Sequence, residues 1–303
     1  MPKVSICIPT YENVKEVKRL LTSIEQQTFQ DVEIIITDDS KSKEIEEYIH
    51  ELKSMEKEIG KKIRYTHNEK RLGHIFNWNA ALSQAGGELI KIMFSDDWFT
   101  YPDSLEKLAG LLEEKPEAGL AFCGSMQVSS REAYPREPQP GYTDRLREDY
   151  RYVFISNQIG APSDTLYRNR PGIAFDEESN WASDVFLYME ILKRNPSFVF
   201  TREPLISIGI HDSQYTESFQ EKDERIYQDY RRLFRKYHLQ ESSRCRDHFL
   251  SHYLIQFSRG RKEALENGFT KREYWRALMG YYKNEVLPCW KKAIFRKLTG
   301  KKA

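Results

Sequence analysis

Through the first 130 residues, short β-branched runs alternate with longer stretches of helical periodicity. This constrains the fold more than any other feature of the sequence, because strands separated by helix-length segments pair as parallel βαβ units. Residues 4–8 (VSICI) read as the first strand, which Pro9 should end. Asn13 then stands where a helix cap is expected, and Val14, Val17, Leu21 and Ile24 follow the spacing of one buried helical face. Residues 32–37 form the second strand, and the unbroken Ile34, Ile35 and Ile36 predict burial on both sides of the sheet. A charged helix over 41–60, a strand over 63–67, a helix over 76–85, a strand over 89–94, a helix over 104–114 and a strand over 119–128 complete the pattern. The expectation is an α/β protein with a mainly parallel sheet flanked by helices.

Beyond this region the signal changes. Residues 129–150 carry Pro135, Pro138, Pro140 and Gly141 among many charges, which predicts a mobile surface loop without regular structure. A second half begins near Ile155, with a helix over 184–193 and a strand at 198–200. From about residue 219 the periodicity is helical throughout, predicting a C-terminal helical extension. The expected division is therefore 1–218, split into halves at about 1–128 and 150–218, followed by 219–303.

Charge divides the chain differently. The 303 residues carry a formal net charge of +1, which argues against a chain built throughout to coat nucleic acid. Residues 270–303, however, hold ten Lys and Arg against two Asp and Glu, a net of +8 that leaves the preceding 269 residues at −7. Trp275, Tyr281, Tyr282, Trp290 and Phe295 lie in the same basic segment. Cations mixed with aromatic residues suit a membrane–water interface, so peripheral, reversible membrane contact is expected of this tail. A plain helical appendage packed on the body is the competing reading. No apolar run is long enough to span a bilayer, and MPKVSICI has no signal-peptide core, so a cytoplasmic location is expected. Cys7, Cys123, Cys245 and Cys289 are too scattered for a disulfide framework or a zinc site.

Ligands of open parallel sheets sit beyond the carboxyl ends of the strands. There the sequence places Pro9-Thr10-Tyr11-Glu12, then Asp38-Asp39-Ser40, then Ser95-Asp96-Asp97. Neither GxGxxG nor GxxxxGK[ST] is present, so the common phosphate cradles do not apply. Carboxylates repel phosphate unless a divalent cation intervenes, which makes Asp96-Asp97 a candidate metal bridge.

Seven ordered blocks carry a family resemblance: VSICIPTYEN, QQTFQDVEIIITDDS, NEKRLGHIFNWNAAL, AGGELIKIMFSDDW, IGAPSDTLYR, SNWASDVF and IHDSQYTES. Over residues 3–215 the chain resembles the family 2 nucleotide-sugar glycosyltransferases of the Rossmann-like GT-A fold. The resemblance implies an inverting, Mn²⁺- or Mg²⁺-dependent transfer from a UDP-sugar to a saccharide or lipid-linked acceptor, in the bacterial surface-polysaccharide class. It also implies roles for particular residues. Pro9, Thr10, Tyr11 and Glu12 match the base-binding turn, and Asp39 matches the acceptor for the base N–H. Arg71, Asn77 and Asp96 match further nucleotide-sugar contacts. Asp97 and His211 match metal-binding positions, and Asp184 the general base, with Glu177 and Glu178 as substitutes. Pro162, Ser163 and Trp181 match an acceptor or sugar pocket. Trp78 departs from the pattern, standing where the family often has a basic residue. Two alternatives share the fold: a catalytically inactive nucleotide-sugar-binding scaffold at the membrane, and the same enzyme using a dTDP-sugar.

Overall fold

The structure is a computed structural model that describes residues 2–211, 219, 220 and 222–288. The chain divides into two compact units, 1–218 and 219–303.

The first unit runs β1 (Val4–Thr10), α1 (Val14–Glu25), β2 (Val32–Asp38), α2 (Glu44–Ser54), α3 (Glu58–Lys62), β3 (Ile63–His67), α4 (His74–Ser83), β4 (Leu89–Ile92), β5 (Trp98–Phe99), α5 (Ser104–Glu114), β6 (Leu120–Val128), β7 (Ala133–Arg136), α6 (Tyr142–Glu148), β8 (Thr165–Arg168), α7 (Ser183–Arg194) and β9 (Phe198–Gly209). Its sheet has the order β3-β2-β1-β4-β8-β6-β9-β5, with β7 paired to β6. The first four strands are parallel, as their β-branched runs predicted. Past β4 the sheet becomes mixed, because β8 runs antiparallel to both β4 and β6, and β9 pairs parallel to β6 but antiparallel to β5.

The Ile34-Ile35-Ile36 run is fully buried, as expected of a strand covered on both faces. Ile6, Ile8, Ile34 and Ile36 share one core with Val17, Leu20, Leu21 and Ile24 of α1 and with Ile45, Ile49 and Leu52 of α2. On the opposite face the Cys7 thiol meets the Ala81 carbonyl of α4. Each fully buried branched side chain contributes about 1.5–3 kcal/mol, so these two layers hold the carboxyl ends of β1, β2 and β4 in fixed positions.

Three local expectations change. Pro9 does not end β1, which continues to Thr10. The β4 pairing stops at Cys7–Ile92, so the missing Pro9 N–H leaves no β4 carbonyl unmatched. Asn13 occupies the cap position of α1 but has φ 58° and makes no capping hydrogen bond. Residues 129–150 are not an irregular loop. They contain β7 and α6, and Pro135 is tolerated because β7 is an edge strand paired only with β6. Buried Tyr142 and Leu146 anchor the helix that follows.

The second unit is helical where described: α8 (Glu224–Lys236), α9 (Ser243–His248), π turns over Phe249–Ile255, α10 (Arg261–Glu266), α11 (Lys271–Tyr281) and further π turns over Tyr282–Val286. Phe234 stacks on Phe249 with ring centroids 4.2 Å apart, and both lie near Phe269 in its aromatic core. Among the described residues no helix is long and apolar enough to cross a membrane. Residues 289–303, with Cys289, Trp290 and Phe295, lie outside the described residues, as does the segment 212–218 of the IHDSQYTES block.

Candidate active site

The carboxyl ends of the parallel strands are tied together by buried acid chemistry. Asp38, at the end of β2, is fully buried and accepts hydrogen bonds from Thr10 Oγ1 (3.0 Å), the Ser40 amide (3.0 Å) and Tyr65 Oη (2.8 Å). Thr10 is therefore turned inward. Glu12 and Asn13 both take positive φ, 54° and 58°, an unfavourable conformation for consecutive non-glycine residues. Ser40 Oγ accepts the Glu12 amide at 2.6 Å, while the Glu12 carboxylate accepts from the Lys41 amide (2.8 Å) and the Ser42 hydroxyl (2.6 Å). Those hydrogen bonds hold the Glu12 carboxyl below its usual range and fasten the β1 turn to the β2 turn.

Asp39 does the same for the loop before α4, accepting from the Leu72 amide (2.7 Å), the Gly73 amide (2.8 Å) and Asn68 Nδ2 (3.2 Å). The loop so held brings the Arg71 guanidinium 4.5 Å from the centre of the exposed Tyr11 ring. An aromatic face, a guanidinium and a buried carboxylate are thus brought together. Asn77 is buried instead: its amide donates to the Thr10 carbonyl at 3.1 Å and its oxygen accepts from Asn68. It holds the turn rather than presenting a free polar group. Trp78 packs among His74, Phe94 and Phe175, with ring centroids 4.7–5.2 Å away.

The second acidic pair divides between two environments. The Asp96 side chain is 25% exposed and its Oδ2 lies 3.1 Å from His211 Nε2. Arg19, stacked 3.7 Å over Trp98, donates to the Asp96 carbonyl at 2.6 Å. Asp97 is only 2% exposed and faces the Gly209 amide (3.3 Å) and the Ser163 hydroxyl. Burial, and then the Asp96 charge, push its carboxyl well above the usual range. Asp96, expected among the nucleotide-sugar contacts, is a carboxylate that meets His211, one of the two expected metal-binding positions.

Ser163 and Pro162 are both buried. Ser163 Oγ accepts the Phe94 amide at 3.1 Å, and its carbonyl accepts from Lys91 Nζ. Lys91 lies fully buried within β4, where burial lowers its ammonium to about 8 against the pull of Cys123, Asp164 and Asp97. Asp164 is pushed up to about 6 by burial, opposed by Arg136 and Lys91. Arg136, on β7, lies 3.9 Å from Asp164 and donates to the Asn157 carbonyl at 3.3 Å.

This network reaches Asp184 in the first turn of α7. Asn157 Nδ2 donates to Asp184 Oδ2 at 2.6 Å, and the Val185 amide donates to Oδ1 at 2.7 Å. Burial pushes the Asp184 carboxyl up to about 6, and the two donors oppose that rise. Such a group is ionised at pH 7 yet more basic than an ordinary aspartate. Trp181 is half-buried just before α7, and Glu177 and Glu178 are exposed.

Sequence reasoning missed Lys91, Arg136, Asn157 and Asp164. Lys91 alone left a signal, a cation inside the otherwise apolar strand LIKI.

Comparison with known proteins supplies the context for this geometry. Residues 5–171 match the family model described as Glycosyl transferase family 2. The chain is 32% identical over 98 residues to the GalNAc(5)-diNAcBac-PP-undecaprenol beta-1,3-glucosyltransferase of Campylobacter jejuni, covering 32% of this chain and 30% of that one. It spans between 30% and 38% of the length of the curated relatives it matches first. In fold it resembles residues 1–349 of S. aureus TarS in complex with UDP-GlcNAc, with TM-score 0.64 and 20% identity over 93% of this chain and 81% of that one. It also resembles the Pyrobaculum calidifontis mannosyltransferase PcManGT in complex with GDP-Man and Mn²⁺, with TM-score 0.61 and 14% identity over 99% and 88% of the two chains.

Proposed function

The chain belongs to glycosyl transferase family 2 and is a glycosyltransferase of GT-A fold, and from that premise we propose an inverting, metal-dependent transfer from a UDP-sugar to a saccharide or lipid-linked acceptor. The step serves cell-surface polysaccharide assembly at the cytoplasmic side of the membrane. The observation that carries this reading is the Asp184 carboxylate, hydrogen-bonded at both oxygens, raised to about 6 and connected through half-buried Asn157 and Arg136 to buried Asp164, Lys91 and Ser163 beside Asp97.

The donor is bound beside Tyr11, Arg71 and Asp39. Tyr11 covers the base, and the free lone pair on Asp39 Oδ2 accepts the N3–H that uracil presents. Thymine offers the same donor, so the turn accommodates a dTDP-sugar on equal hydrogen-bonding terms.

Asp96, Asp97 and His211 are the residues that would hold Mn²⁺ or Mg²⁺. Carboxylate oxygen and imidazole nitrogen form a donor set suited to these ions, and the 3.1 Å approach of Asp96 to His211 presents both kinds at one place. Among the described residues no three His, Cys, Asp or Glu side chains converge. When bound, the cation neutralises charge developing on the departing diphosphate.

Asp184 acts on the acceptor. Its hydrogen bonds to Asn157 and Val185 leave further lone pairs to receive the hydroxyl proton as that oxygen attacks the anomeric carbon. Direct attack opposite the leaving diphosphate inverts the centre. The basic C-terminal region supplies peripheral membrane contact, which suits a lipid-linked acceptor.

The test is a thermal-shift panel of UDP-, dTDP- and GDP-sugars with and without Mn²⁺, followed by product analysis. Stabilisation by UDP-sugars that requires Mn²⁺ is expected, with turnover abolished by chelator. A metal-independent preference for GDP-sugars would overturn the assignment.

A further inference from the structure

Helix α11 presents an apolar face to solvent. Its start is secured by a capping box in which Thr270 Oγ1 accepts the Glu273 amide and the Glu273 carboxylate accepts the Thr270 amide. Glu273 also pairs with Arg246 at 3.0 Å, so the only acid of this helix is engaged. On the inner side Tyr274 is buried. On the outer side Trp275, Met279 and Tyr282 are 50%, 65% and 53% exposed. Positions separated by four and then three residues fall along one line of a helix, so these side chains form a continuous stripe. Exposed Arg272, Arg276 and Lys283 flank it.

Large apolar side chains exposed as a contiguous stripe mark an interaction surface. The chemistry selects among partners. A second copy of the same face would bring Arg272, Arg276 and Lys283 against their own counterparts, while Glu273, the acid of α11, is already paired with Arg246. A nucleic acid would answer the cations but leave Met279, the most exposed member, without an apolar partner. An anionic lipid surface satisfies both halves of the pattern: aromatic rings and methionine enter the headgroup boundary while guanidinium and ammonium groups meet phosphate. The sequence continues with the same sign of charge, since residues 289–303 contain six Lys and Arg and no Asp or Glu.

We propose that the Trp275–Met279–Tyr282 face of α11 lies in the headgroup region of an anionic bilayer and is the principal membrane contact of the chain. This rests on the peripheral-membrane part of the reading above and assigns it to a folded helix face rather than to the terminal residues.

The test is flotation of the full chain with vesicles of phosphatidylcholine alone or mixed with phosphatidylglycerol. The expected result is flotation with the anionic vesicles only. Trp275→Ala/Met279→Ala should lower the partition coefficient at least about tenfold, because two large side chains lose their apolar environment. Its melting curve and donor turnover should remain those of the parent. A chain ending at residue 288 should bind more weakly, having lost six cations, but should lose a further tenfold or so with Trp275→Ala/Met279→Ala; a truncated chain indifferent to the double substitution would overturn the face assignment. If the parent floats and the double variant floats equally well, the face assignment is overturned while membrane attachment stands. If the parent does not float, both fall. A Trp275-dependent dimer in sedimentation would assign the face to self-association and also overturn the proposal.

Discussion

Replacing Asn157 by alanine removes the amide that holds Asp184 Oδ2 at 2.6 Å and leaves the Val185 amide on the other oxygen. A hydrogen bond to a charged group contributes about 1.5–3 kcal/mol, and one pKa unit corresponds to about 1.4 kcal/mol. Water can enter the space left by the amide, so the lower end of that range applies and the Asp184 pKa should rise by about one unit. The direction follows because the amide favours the charged carboxylate. A general base works deprotonated, so the acidic limb of kcat/KM should move from about 6 in the parent to about 7 in the variant. At pH 6 the loss is then about fivefold, whereas at pH 8.5 the two enzymes should nearly coincide. The assay is initial-rate release of nucleoside diphosphate across that pH range at subsaturating donor and acceptor. A uniform loss at every pH would reduce Asn157 to a packing role. Absence of an acidic limb near 6 in the parent would remove Asp184 as the titrating base.

Three further outcomes follow from the same contacts. Lys91→Met leaves Asp97 and Asp164 without the buried ammonium and should lower stability by about 3 kcal/mol in urea unfolding at pH 7; an unchanged midpoint would show that Lys91 is not their countercharge. Gly209→Ala would place a Cβ 2.5 Å from the Asp96 carbonyl, so backbone must move. A stability loss of about 1–3 kcal/mol with reduced kcat is expected, and a variant with the parent's melting temperature would refute that close approach. Tyr11→Ala should weaken UDP binding about tenfold by calorimetry, through the lost stacking surface and its Arg71 partner; unaltered affinity would place the base elsewhere.

The parallel part of the sheet was legible because Ile34, Ile35 and Ile36 and their β1 counterparts Ile6, Cys7 and Ile8 are apolar and buried on both faces, with Lys91 in β4 the exception. Strand ends could then be located, and with them the acidic pairs. Residues 129–150 were not legible in this way. Proline is excluded from central strands only, and nothing local announces that β7 will lie at an edge. The site shows the same division. Residue types at strand ends were visible, but the direction of each side chain depends on partners distant in sequence. Asn77 turns to Thr10, Ser163 lies beneath Phe94 and Asp97, and Asn157 reaches Asp184 across 27 positions. Arg136 gave no sign because its link to Asp164 exists only once β7 pairs with β6.

The most direct test of the account is proton NMR of the sugar released from an α-linked UDP-sugar in the presence of Mn²⁺, comparing the parent with a folded Asp184→Asn variant. Inversion gives the parent's first-formed product the β configuration, and the variant should be slower by a factor on the order of 10² or more. Retention of the α configuration, or full turnover by Asp184→Asn, would contradict this mechanism.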